Sequence, residues 1–131
     1  MKKYVWLFFV LITTSLFAQK KNENFQMHIK KNTGAIKTLC EKHKVAKLYA
    51  FGSVLTSAFN DESDVDFLIE FQRTDIPDFA SNYFELQFAL EDLLGREVDL
   101  IEYSAIRNPY FKEDVDETRK LIFESLEKTF S

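Results

Sequence analysis

The sequence predicts a small α/β domain, a sheet flanked by helices, on two observations. Apolar residues recur by turns at helical and at strand spacing, in the order α-β-α-β-α-β-α along the chain. With 131 residues, 46% of them hydrophobic, 14 Phe and only three Gly and two Pro, the chain can fill one core and leaves little for linkers. The lone cysteine, Cys40, excludes an internal disulfide and reads as a small buried helix residue.

The first segment stands apart. Lys2 and Lys3 precede an apolar run from Tyr4 to Phe17, and Ala18-Gln19 resembles a signal-peptide cleavage point, although Leu16 sits where Ala is usual. The run is about 14 residues, short of the roughly 20 that a spanning helix needs. Three readings stay open: a working export signal, a membrane-proximal anchor, or a translated stretch ahead of a start at Met27. Residues 1–26 are therefore separated from a single domain at 27–131.

Within that domain, Ile36, Leu39 and Cys40 mark an amphipathic helix between Asn32 and His43, and "VAKLYAF" reads as a buried strand ending at Gly52. Residues 53–59 are expected as a short helix, Asn60 to Ser63 as a turn, and "DVDFLIEF" as a second strand. Pro77 and Asp78 start a helix from Phe79 to Leu94, with Phe79, Tyr83, Leu86, Leu90 and Leu93 on one stripe and Gly95 as its stop. "REVDLIEY" gives a third strand. Beyond Pro109, the residues Val115, Ile122, Leu126 and Phe130 fall at the spacing of a final helix. His28 and His43 are read as surface residues, and Tyr83, Phe84 and Phe88 as core.

Charge narrows the function. Residues 27–131 carry 13 basic and 20 acidic side chains, a balance of −7. Such a surface is a poor general binder of nucleic-acid phosphates and suits metal ions or a basic partner.

The chemistry concentrates in "FGSVLTSAFNDESDVDFLIEF". Side chains two apart on a strand share a face, so Asp64 and Asp66 project together, and their mutual repulsion calls for a cation or a strong basic partner. Asp99 lies inside "REVDLIEY", with Val98 and Leu100 facing away. Three carboxylates without His or Cys make a hard oxygen site, suited to Mg²⁺ or Mn²⁺ rather than Zn²⁺. Gly52 at a strand end lets a phosphate approach the backbone, the N–H groups of the following helix add donors, and Ser53 adds a hydroxyl.

Gly52-Ser53, ten residues, Asp64-x-Asp66 and then Asp99 closely resemble the signature of the nucleotidyltransferase superfamily, and the short chain looks like its minimal branch. The likeness covers about Ala46 to Phe123. At about 6% per fixed residue, chance yields the Gly-Ser and Asp-x-Asp spacing in roughly one in a thousand chains of this size, so the match carries weight. The resemblance implies a mixed sheet flanked by helices, with Gly52 and Ser53 holding the triphosphate of ATP. It further implies that Asp64 and Asp66 bind two Mg²⁺ ions, with Mn²⁺ an alternative, and that Asp99 joins the catalytic metal. Its minimal members transfer AMP to a hydroxyl, and many are antitoxins that modify a tyrosine of a HEPN-domain toxin. The sequence departs from the family at Thr56-Ser57-Ala58, where relatives carry Arg-Gly-Glu, a lost phosphate contact. The tail "NPYFKEDVDETRKLIFES" fits the minimal branch and carries no catalytic motif.

Rival assignments fit less well. In haloacid-dehalogenase-like phosphatases and in glycosyltransferases the Asp-x-Asp follows its strand, whereas here the strand follows the pair. An EF-hand lacks its Gly and its terminal Glu between Asn60 and Phe71. A purely structural alternative caps a turn with Asp64, solvates Asp66 and pairs Asp99 with Arg96 or Lys47; a second functional class is a non-catalytic antitoxin that docks by its acidic surface. Because ATP chemistry belongs inside the cell, a cytoplasmic location is expected, with export or membrane association through residues 1–18 as the alternative.

Overall fold

The computed structural model describes residues 25–72 and 75–126; the apolar leader and Phe130 lie outside the described residues. Helical residues 25–31 lead into α1 (Thr33–Lys42), followed by β1 (Val45–Phe51), a 3₁₀ turn (Gly52–Leu55) and β2 (Val65–Phe71). Then come α2 (Phe79–Leu94), β3 (Val98–Glu102), a second 3₁₀ turn (Tyr103–Ala105), α3 (Pro109–Thr118) and β4 (Lys120–Glu124). The sheet order is β3-β2-β1-β4. β1 runs antiparallel to both β2 and β4, and β2 runs parallel to β3. The sheet is therefore mixed and flanked by helices, as the sequence predicts.

Period-2 alternation divides the apolar side chains between two faces. Leu48, Ala50, Val65, Phe67, Ile69, Val98 and Leu100 join Ile36 and Cys40 of α1 and Leu86, Leu90 and Leu94 of α2 in the main core. Tyr49, Phe51 and Leu68 on the other face pack with Val115 of α3 and the partly buried Ile101, Tyr103 and Ile106. The acidic residues of the signature belong to this second face.

Helix α2 begins and ends where its punctuation demands. Asp78 stands in left-handed backbone (φ 50°) and accepts from the Ser81 amide at 3.4 Å and the Ser81 hydroxyl at 2.7 Å. Gly95 closes the helix at φ 66°.

Four expectations need correction. The final helix stops at Thr118, and Lys120–Glu124 instead pairs as β4 with β1, with Phe123 beside Leu48. Val115, Ile122 and Leu126 fit a helical period, but the outer edge of β1 would otherwise present unpaired backbone groups, and that pairing decides. The segment after Gly52 is one 3₁₀ turn, too short to present a helix N-terminus. His43 is buried: its Nδ1 lies 3.0 Å from Asn82 Oδ1, and Asn82 Nδ2 donates to the His43 carbonyl at 2.8 Å. Phe84 and Phe88 are exposed, because the buried stripe of α2 runs through Leu86, Leu90 and Leu94.

Cys40 is fully buried, and burial pushes its thiol up to about 12. It should resist thiol reagents in the native protein and react stoichiometrically once the chain is unfolded in urea. For the α2 cap, Asp78→Ala should cost about 1 kcal/mol or more, because it loses the cap and keeps a positive φ. Asp78→Gly should cost less, and urea denaturation of the two variants measures the difference.

Candidate active site

Strand register assembles the site. Asp66 of β2 lies opposite Phe51 of β1 on one side and opposite Asp99 of β3 on the other. Partners in register project to the same face, so the Asp66 and Asp99 carboxylates are immediate neighbours on adjacent strands. Asp64 lies one residue ahead of β2, two positions before Asp66, and is solvent-exposed. Asp99 is exposed between the buried Val98 and Leu100. Its carboxylate is thus on the open face and not within the core, and its strand neighbours face away as the alternation predicts.

Gly52 explains its own identity. The chain leaves β1 at φ 75°, and a Cβ there would stand 2.7 Å from Asp66 Oδ2. Contact that close would push the Asp66 carboxylate aside, and left-handed backbone separately favours glycine. The Gly52 backbone and the Asp66 carboxylate therefore meet, although they lie 14 positions apart in the chain. Ser53 follows, half-buried, and its carbonyl accepts from the Thr56 amide at 2.9 Å and the Thr56 hydroxyl at 3.0 Å. Thr56 also accepts from the Ala58 amide at 3.2 Å, so at the position of the relatives' Arg a short side chain closes the turn.

Burial raises the Asp66 pKa first, and the charges of Asp99 and Asp64 raise it further. Glu97 adds a fourth carboxylate: two residues before Asp99 on the same face, it shares a hydrogen bond with Asp64, and this bond and the Asp64 charge raise its pKa. The sequence carried the signal for Glu97 in the same period-2 rule that paired Asp64 with Asp66. Glu70 falls elsewhere, opposite Lys47 and about 13 Å along the strand from Asp66.

The alternative partners proposed for Asp99 are engaged elsewhere. Lys47 pairs with Glu124 at 3.9 Å, and Arg96 donates to the carbonyls of Asn60 and Ser63. The strand carrying Asp99 is fastened from α2, where Gln87 Nε2 donates to the Val98 carbonyl at 2.8 Å and the Tyr83 hydroxyl donates to that of Leu100. The carbonyls of the two residues on either side of Asp99 are thus held on the outer edge of the sheet.

Oxygen-only donors, clustered negative charge and a carboxylate raised by its neighbours suit a hard divalent cation such as Mg²⁺ or Mn²⁺. Among the described residues no three Asp, Glu, His or Cys side chains already form a metal cage. Asp64 and Asp99 are exposed beside the half-buried Asp66. A cavity of about 620 Å³ lies away from this cluster, lined by residues that include Ile29, Ala50, Val54 and Leu121.

The chain that carries this glycine turn and carboxylate row belongs to the nucleotidyltransferase domain family, whose pattern matches residues 33–122. Among its relatives is MJ0128 of Methanocaldococcus jannaschii, named as a protein adenylyltransferase, 44% identical over 81 residues that span 62% of this chain and 80% of the relative. The protein adenylyltransferase MntA of Thermococcus cleftensis is 36% identical over 72 residues, spanning 55% of this chain and 70% of the relative. A solved minimal nucleotidyltransferase superposes with a TM-score of 0.59 at 27% identity, covering 70% of this chain and 89% of that one. The fold also matches, at TM-score 0.52 and 20% identity, a complex of a tri-AMPylated Shewanella oneidensis HEPN toxin with its MNT antitoxin, covering 74% and 73% of the two chains.

Two outcomes follow from this geometry. Gly52→Ala should destabilise the fold by about 1 to 2 kcal/mol through its positive φ alone and should also displace the Asp66 carboxylate, weakening Mn²⁺ binding in a calorimetric titration. The raised Asp66 pKa means that, between its ordinary value of 3.8 and its raised folded value, the folded chain keeps a proton which the unfolded chain has lost, so this group lowers stability as pH rises through that window. Asp66→Asn should therefore melt at a higher temperature than the wild type at neutral pH without divalent ions, with the gain vanishing below about pH 3.8.

Proposed function

We propose that this nucleotidyltransferase moves AMP from ATP to a tyrosine hydroxyl of a HEPN-type toxin and thereby acts as its antitoxin. The observation that carries the reading is the single point at which the Gly52 backbone, Asp66 and Asp99 meet. Relatives named protein adenylyltransferase, and the AMP-bearing toxin held by a fold neighbour, support the choice of group and of acceptor.

In this reading the Gly52-Ser53 turn receives the triphosphate, because its Cβ-free backbone can approach phosphate oxygens and the Ser53 hydroxyl can donate to them. Asp64, Asp66 and Asp99 would hold Mg²⁺, which neutralises charge on the phosphates when bound. The acceptor hydroxyl attacks the α-phosphorus in line, the bond to the β-phosphate oxygen breaks, and pyrophosphate leaves. Asp99 is the residue best placed to take the hydroxyl proton, since it is exposed on the row beside Asp66 while its strand is fastened from behind. The same reading places the domain in the cytoplasm, where ATP is available; a mature chain beginning at Gln19 would overturn that placement.

The deciding experiment incubates the purified chain with labelled ATP, Mg²⁺ and a purified HEPN-domain toxin. Transfer of label to a toxin tyrosine is expected, with a loss of about 100-fold or more in the Asp64→Ala/Asp66→Ala variant. Equal transfer by that variant, or none by the wild type, would sink the enzymatic reading. Toxin neutralisation that survives the double substitution would instead assign a docking antitoxin.

A further inference from the structure

Asp64 belongs to no strand, yet it is held on both sides by consecutive residues between α2 and β3. On one side the Ser63 carbonyl accepts from Arg96 Nη2, and on the other the Val65 amide donates to the Glu97 carbonyl at 2.9 Å. Arg96 Nη2 also donates to the Asn60 carbonyl at 2.5 Å. Asn60 and Ser63 are the two ends of one turn: the Ser63 amide donates to the Asn60 carbonyl at 3.1 Å, and the Asn60 amide to the Ser63 hydroxyl at 3.0 Å. One guanidinium thus grips both ends of the turn that delivers Asp64. The guanidinium is fixed in its own place, 4.6 Å from the ring centroid of the buried Phe59 and 5.5 Å from that of Phe25.

We propose that Arg96 is a positioning residue, whose grip on the Asn60–Ser63 turn sets the backbone of Asp64 so that its carboxylate is delivered beside Asp66 and Asp99. The proposal rests on the reading of Asp64 as a metal ligand. Lysine cannot replace Arg96 here, because a point ammonium lacks the planar group that stacks on two rings while bonding the carbonyls.

The test is a Mn²⁺ titration of the full chain without nucleotide, followed by electron paramagnetic resonance. It compares wild type, Asp64→Asn, Arg96→Ala, Arg96→Lys and the Asp64→Asn/Arg96→Ala double variant, with a thermal melt of each. Both Arg96 variants should weaken Mn²⁺ binding about tenfold. Adding Arg96→Ala to Asp64→Asn should change the affinity no further, because Arg96 acts through Asp64. If Arg96→Ala fails to fold, Arg96→Lys carries the comparison. Wild-type affinity in folded Arg96 variants, with Asp64→Asn weakened, would overturn the positioning role alone, as would an equal loss from Arg96→Ala in the Asp64→Asn background. Wild-type affinity in Asp64→Asn would overturn the metal reading and this proposal together.

Discussion

The carboxylate of Asp66 lies so close to Gly52 that a Cβ there would stand 2.7 Å from its Oδ2, and the geometry of the candidate site depends on that contact. It links the end of β1 to the start of β2, so phosphate-approachable backbone and metal-type oxygen donors share one location. The contact also sets the electrostatics. A half-buried carboxylate beside two others is disfavoured as an anion, and that cost exists whether or not a cation is present to offset it. The fold tolerates it because the face below is well packed, with Tyr49, Phe51, Leu68 and Val115 forming a second apolar cluster.

Around this point the backbone on either side of the exposed Asp64 and Asp99 is held by hydrogen bonds. Asp99 stands between peptide groups bonded by Gln87 and Tyr83, and Asp64 between groups bonded by Arg96 and Glu97. All four supporting residues come from α2 or from the connection between α2 and β3. The Cα positions of Asp64 and Asp99 are thereby set on the open face of the sheet.

Much of the fold was legible because its signals are local. Asp78 and Gly95 bound α2 by capping chemistry, and "VAKLYAF" matches β1 residue for residue because a buried strand needs only a continuous apolar run between turn formers. The misreadings share one cause. Residues Val115 to Leu126 satisfy a helical period, but Lys120–Glu124 serves the open edge of β1, a demand visible only once β1 is in the sheet. His43 continues the Ile36–Cys40 stripe, yet its burial needs Asn82, 39 residues away, to satisfy the ring and carbonyl.

What the sequence determined by itself is the spacing of Gly52-Ser53, Asp64, Asp66 and Asp99 and the family that this spacing marks. Residue type and period-2 alternation suffice for that, since both are properties of the chain. Tertiary structure alone decided that Asp66 faces Asp99 across a parallel ladder, that Gly52 abuts the Asp66 carboxylate, and that Arg96 serves the Asn60–Ser63 turn instead of pairing with Asp99. Each of these is a contact between residues distant in sequence, and such contacts are set by how strands and helices pack together, which no local pattern encodes.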